Sequence, residues 1–186
     1  MMFFAAVLVI VSLMSTSAQQ SATCKPPTFM GRILAFSSSD FKLAGAVDVY
    51  YDVDRQLSLS EERMGGKWAL YDDNDLKLYI YDPMEGCTVT DMSEPLDVLN
   101  REFSNNGQLL ANYVLPNNAG SYDAYSYTNG NMTVKGLYDS NCLVVVSTVN
   151  IDGVPTSTSI LTNVVTDNPD LSQIDARQQD AASSCS

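Results

Sequence analysis

Ala46-Val47-Asp48-Val49-Tyr50-Tyr51-Asp52-Val53, then Asp54-Arg55, then Gln56-Leu57-Ser58-Leu59-Ser60-Glu61 is the stretch that decides the fold class. Side chains alternate across an extended strand. Val47, Val49, Tyr51 and Val53 therefore share one face, and Asp48, Tyr50 and Asp52 the other. Asp54-Arg55 makes a tight connection, after which alternation resumes with Leu57 and Leu59 inward. A period of two on both sides of a short polar turn predicts an antiparallel hairpin.

The same grammar extends in both directions. Met64-Gly65-Gly66 is a turn, a strand starts at Trp68, and Asp72-Asp73-Asn74-Asp75 is a polar loop tip. Leu76, Leu78 and Ile80 then alternate with Lys77, Tyr79 and Tyr81. Further alternating runs cover 108–115, 122–128, 132–138, 143–150 and 157–166, with Asn129-Gly130 and Asp152-Gly153 as hairpin signals between them. About ten strands with short turns predict a mostly β protein: antiparallel sheets stacked as a sandwich or curled into a half-barrel. Helix is sparse, with one short segment expected at 94–102 and a loose one at 171–182. The tyrosines opposite the aliphatic faces suit either sheet packing or a ligand wall.

Phe3 to Met14 is an unbroken apolar run, followed by Ser15-Thr16-Ser17-Ala18. It is short of the roughly 20 residues a membrane helix needs, and it reads as a secretory signal cleaved after Ala18. The expected organisation is a signal peptide at 1–18 and a single β domain at 19–186, exported and without a transmembrane segment. Four cysteines, Cys24, Cys87, Cys142 and Cys185, then favour two disulfides, and spacing alone allows three connectivities. Asn131-Met132-Thr133 is an N-glycosylation sequon.

The 186 residues carry 22 acids against 10 bases, a net charge of −12. Such a surface repels phosphate backbones and argues against nucleic acid as a partner. Histidine is absent, which removes Ser-His-Asp and Cys-His catalysis and His-ligated metals. No hydrolase, phosphate-loop or zinc-protease motif is present, so a non-enzymatic chain is expected. Calcium is the cation that suits the acids. Asp72, Asp73 and Asp75 crowd one loop, although the glycine and glutamate of an EF-hand frame are missing.

Several local patterns together resemble the ependymin-related family. Cys24-Lys25-Pro26-Pro27-Thr28-Phe29-Met30-Gly31-Arg32 resembles its mature start, with Phe29 where tryptophan is usual. Tyr51-Asp52 before Arg55 and Leu57 resembles its first hairpin, and Tyr79-Ile80-Tyr81-Asp82 before Gly86-Cys87 its strand into an internal cysteine. Pro95-Leu96-Asp97-Val98 before Phe103, the turn from Tyr138 to Cys142, Asp167 to Pro169 and the late Cys185 complete the series. The similarity spans about residues 24–186. Cys185 comes later than in the family, after a polar insertion at 173–184, and no proline follows Cys142.

The resemblance implies a secreted, glycosylated, calcium-associated protein of cell–matrix adhesion, often a homodimer. It implies a fold similar to bacterial lipoprotein carriers: two stacked antiparallel sheets around an apolar pocket. By position it pairs Cys24 with Cys142 and Cys87 with Cys185. The aliphatic faces alone leave a closed core and an open cavity equally available. The resemblance favours a cavity for a fatty acid or similar ligand, lined by Leu57, Leu59, Leu76, Leu78, Ile80, Val145 and Val149. An acidic structural component of an extracellular or mineralised matrix is the alternative.

Overall fold

The computed structural model describes residues 26–93, 107–116 and 120–185. The signal segment, Cys24 and the helix expected at 94–102 lie outside the described residues. Eleven strands and one helix follow in order: β1 (Phe29–Ser37), β2 (Leu43–Asp52), β3 (Leu57–Glu62), β4 (Trp68–Asp72), β5 (Lys77–Asp82), β6 (Gly86–Asp91), β7 (Gly107–Val114), β8 (Ser121–Asn129), β9 (Met132–Asp139), β10 (Val144–Ile151), β11 (Val154–Val165) and α1 (Ser172–Ser184). The chain is mostly β and antiparallel, with a short helix at the position expected for the second one. Strand pairing joins all eleven strands into one open sheet in the order β6-β5-β4-β3-β2-β1-β11-β10-β9-β8-β7.

That order describes two meanders. The first runs β1 to β6 and the second β7 to β11, and the β1–β11 ladder stitches them together. Strands consecutive in the chain, β6 and β7, stand at opposite edges.

Turn chemistry fixes the register at the ends of several strands. Tyr51-Asp52, Tyr71-Asp72, Tyr81-Asp82 and Tyr138-Asp139 each close a strand. In each case the aspartate Oδ1 accepts the backbone N–H two residues on, from Asp54, Asn74, Met84 and Asn141. Such a carboxylate satisfies donors that the ladder abandons at the bend. Four residues after the first three aspartates stands a residue of positive φ: Gln56 at 52°, Leu76 at 51° and Gly86 at 87°. The left-handed residue returns the chain into the next strand, and only Gly86 adopts it without steric cost. In the second meander Asp152 (φ 52°) and Gly153 (φ 78°) form the two-residue loop between paired Ile151 and Val154. Both positive φ values are those of a type I′ hairpin turn.

The register places apolar side chains on both faces of the sheet. Leu59 stands opposite Tyr50 and Leu70, and Leu70 opposite Tyr79. This face carries one core: Leu57, Leu59, Trp68 and Leu70 of the sheet with Ile174 and Ala181 of α1. Phe29 stands opposite Tyr51, and with Val49 and Leu143 they make a second core on the other face. The inward assignments of Val49, Tyr51, Leu57 and Leu59 all hold, but they point inward on opposite sides.

Candidate functional site

The apolar face of β3 and β4 beneath α1 is where elements converge. Leu57, Leu59, Trp68 and Leu70 are each 4% exposed or less. Tyr79 and Tyr81 of β5 and Tyr50 of β2 flank them. Trp68 stacks on Tyr81 with ring centroids 5.6 Å apart and planes 13° apart. The Arg177 guanidinium lies over the Trp68 ring at 5.7 Å. The guanidinium and the stacked phenol both restrict the orientation of that indole.

Helix α1 supplies little apolar surface of its own. Its thirteen residues read SQIDARQQDAASS, and Ile174 and Ala181 are the buried ones. The N-cap position, Leu171, offers no side-chain acceptor, the Asp170 carboxylate accepts the Ser172 N–H at 3.0 Å, and no base sits in the last turn. An isolated helix this short is marginal in water, so its stability comes from the sheet. Three attachments hold it. Arg55 bridges Asp52 Oδ2 (2.6 Å) and Asp175 Oδ1 (2.5 Å). Arg177 donates from Nε to Glu61 Oε1 (2.7 Å) and from Nη1 to Asp180 Oδ2 (2.8 Å). The Cys87–Cys185 disulfide, with Cα atoms 4.6 Å apart, ties the C-terminal end to β6. Cys142 is also disulfide-bonded.

Asp52 is the best held of these acids, at 7% exposure. Burial works to raise its pKa, but bonds from the Arg55 side chain and backbone more than offset it and hold the carboxyl below the usual range. Arg55 is raised in turn, chiefly by its bonds to Asp175 and Asp52. For Arg177, desolvation is outweighed by the bonds to Asp180 and Glu61, and its pKa is raised as well. Among the described residues, six of the eight bases, Arg32, Lys42, Arg55, Arg63, Lys67 and Arg177, are in ion pairs.

The residues expected to hold calcium, Asp72, Asp73 and Asp75, stand at the turn between β4 and β5. Among the described residues no three carboxylates or thiolates are arranged to hold a metal. Asp72 turns inward on the loop, where its Oδ1 accepts the N–H groups of Asn74 and Asp75 at 3.1 Å. Asp73 N–H donates to the Gln56 carbonyl, and Asp75 is exposed. Loop geometry thus spends the Asp72 carboxylate on the backbone.

The expected pocket residues divide between faces. Leu57 and Leu59 lie beneath α1. Leu78 pairs with Tyr71 and Ile80 with Ala69, on the opposite face, where Ile80 is 43% exposed. Leu76 is the left-handed loop residue before β5 and not a strand residue at all. Val145 and Val149 lie on β10 in the second meander, half-buried, with Val149 opposite Val134. The seven do not line one cavity. On β5 it is Tyr79 and Tyr81 that pack toward the helix-covered core, and the aliphatics that turn away. Sequence reasoning missed Trp68, Leu70, Tyr81 and the arginines. An arginine three residues past Ile174 in a polar helix was the available signal for a clamp.

Asn131 is exposed in the turn between β8 and β9, with Gly130 at φ 59° before it. Its Nδ2 donates weakly to Asp152 Oδ2 at 3.3 Å. Among the described residues no helix is long and apolar enough to cross a membrane.

No family model matches the chain, and no curated protein does. Among solved structures, it is similar to PNGF-II in a C2 space group, with a TM-score of 0.47 at 8% identity. That match covers 80% of this chain, which spans 29% of the PNGF-II chain.

Proposed function

We propose that the chain is a secreted, non-enzymatic, ependymin-related binding protein of the extracellular space, and that its ligand is an apolar chain such as a fatty acid. The observation that carries the reading is the face of Leu57, Leu59, Trp68 and Leu70, buried beneath a helix that is itself mostly polar. Each methylene seated on such a face contributes about 0.8 kcal/mol, so an acyl chain needs no charged anchor there. The disulfides suit an oxidising compartment, and Asn131 of the sequon is exposed in its turn.

The test is a titration of delipidated protein with a fluorescent fatty acid, read by energy transfer from Trp68, the one tryptophan. Saturable transfer is expected. A folded protein that shows none, and from which mass spectrometry recovers no lipid before stripping, would sink the reading. The acidic-matrix alternative rests on the net charge of −12. Calcium association would then be diffuse, spread over the acids rather than held in the Asp72 loop.

A further inference from the structure

We propose that the end of the sheet formed by the β1–β2, β3–β4 and β5–β6 turns is a docking rim, which seats Phe41, Met64 and Met84 in the interface of a zwitterionic phospholipid bilayer. The inference goes beyond the binding reading above and does not depend on it. Strand direction puts these turns at one end: β1, β3 and β5 run into it, and β2, β4 and β6 leave it. They are also neighbours in space. The Arg63 N–H donates to the Ala46 carbonyl, Lys67 pairs with Asp82 at 2.6 Å, and a Cβ on Gly66 would lie 3.4 Å from the Pro83 ring. Each turn carries one large apolar side chain out into water: Phe41 is 73% exposed, Met64 99% and Met84 94%. Phe41 does so at φ 53°. A bulky residue in that region carries a steric cost that local structure does not explain, and such outliers gather at ligand contacts.

The turns at the opposite end of the same meander supply the contrast. Residues 52–56 and 72–76 hold five acids against one base, and Val53 and Leu76 there are half-buried. Over 38–42, 62–67 and 82–85, three bases stand against four acids, with Asp40 paired to Lys42 and Asp82 to Lys67. The apolar tips therefore project from the end that is close to neutral. A chain of net charge −12 is repelled by anionic lipid, whereas a zwitterionic headgroup layer admits such an end. The three side chains stand on separate turns and not in one patch. A fluid interface accepts separate knobs, while a protein partner needs pockets matched to each. Phenylalanine and methionine seated at the acyl boundary bury apolar area as the side chains of interfacial helices do. The sequon Asn131 lies at the same end, two turns along from Phe41 past β10–β11, so the docking tips are those of the first meander.

The experiment mixes the full mature chain with sucrose-loaded phosphatidylcholine vesicles and measures the sedimented fraction. Partition of the wild-type chain is expected. Phe41→Ser/Met64→Ser/Met84→Ser should lower the partition coefficient by about tenfold or more, with an unchanged urea midpoint because all three residues are exposed. Val114→Ser, 74% exposed at the opposite end of the sheet, should leave partition as it is. The wild-type chain gives a second measurement without any variant. Peroxide converts accessible methionine to its sulfoxide. The vesicles should slow this at Met64 and Met84 and leave the rate at half-buried Met92, beyond β6 at the other end, unchanged. At low salt, vesicles one-third phosphatidylserine should bind less. Four results each overturn the rim: no partition of folded protein, equal partition of the triple variant, an equal loss in Val114→Ser, and binding that requires phosphatidylserine. The fatty-acid reading is decided by its own titration and stands after any of these.

Discussion

The two meanders are built from the same strands and turns but are stabilised in opposite ways. Around β2 and β3 the first is buried on both faces, by α1 on one side and by Phe29, Val49, Tyr51 and Leu143 on the other. The second leaves Leu109, Leu110, Val114, Ile151, Val154 and Ile160 exposed. Between residues 107 and 165 the only charged side chains are Asp123, Asp139, Asp152 and Lys135. There Thr, Ser, Tyr and Val cover the strands, Tyr125 meets Tyr138 edge-on at 5.7 Å, and Tyr138 folds back over Gly136. A Cβ at Gly136 would meet that ring at 2.7 Å. Ladder pairing and surface propensity hold this half, whereas two cores and five ion-pair groups hold the other. The difference teaches that strand formation and burial are separate matters in one continuous sheet.

If burial is concentrated in the first meander, its covalent tie should matter most. Cys87 and Cys185 are 98 residues apart in sequence. A loop of that length stabilises by about 4–5 kcal/mol through chain entropy. C87S/C185S should lower the urea midpoint by the largest amount of any change considered, and release α1 to proteolysis before any strand of β8–β10 is cut. Early cleavage in β8–β10 instead would reverse the ranking of the two halves.

Leucine truncation offers a matched pair. Leu70→Ala removes a side chain 1% exposed between Leu59 and Tyr79 and should cost about 2–5 kcal/mol. Leu109→Ala, at 43% exposure on β7, should cost within about 0.5 kcal/mol. Equal losses in urea melts would mean that β7 is covered in solution by something further.

The alternation that identified these strands says which residues of one strand share a face. It says nothing about which face a neighbouring strand matches, since one residue more or less in a turn flips it. Asp52 pairs with Leu57 across a four-residue loop, so Leu57 joins the face of Tyr50 and not that of Tyr51. That relation lay in the Asp52 turn, whose four-residue loop recurs at Asp72 and shortens to three at Asp82, and was legible only as a repeat of Tyr-Asp pairs. β6, with Thr88 and Thr90 alternating with Val89, was too weakly apolar to register as a strand. The choice between tyrosine and aliphatic as the inward side of β5 depends on where α1 lies, and α1 arrives from ninety residues away through Cys185. No local pattern encodes that arrival, which is why the pocket list drew leucines from both faces.

Acid should separate the halves by a smaller margin. Asp52 carries a native pKa held below the usual aspartate value because Arg55 bonds outweigh its burial. A depressed carboxylate contributes stability that is fully present above the unfolded pKa, about 3.9, and is lost as pH falls through the lower native value. Protonating Asp52 weakens its bonds to the N–H groups of Asp54 and Arg55 and frees the guanidinium that also holds Asp175. Turn and helix attachment therefore loosen together, in the meander that α1 covers. Asp52→Asn should cost about 1–3 kcal/mol at neutral pH, as the loss of a buried charge-assisted bond does, and should flatten the stability profile below about pH 4. Hydrogen exchange near pH 3 should show the amides of α1 and of the β2–β3 turn opening in the wild-type chain while those of β9 and β10 stay protected. A D52N profile that falls as steeply as the wild-type one would move the acid sensitivity to other carboxylates and remove Arg55 as the link between turn and helix.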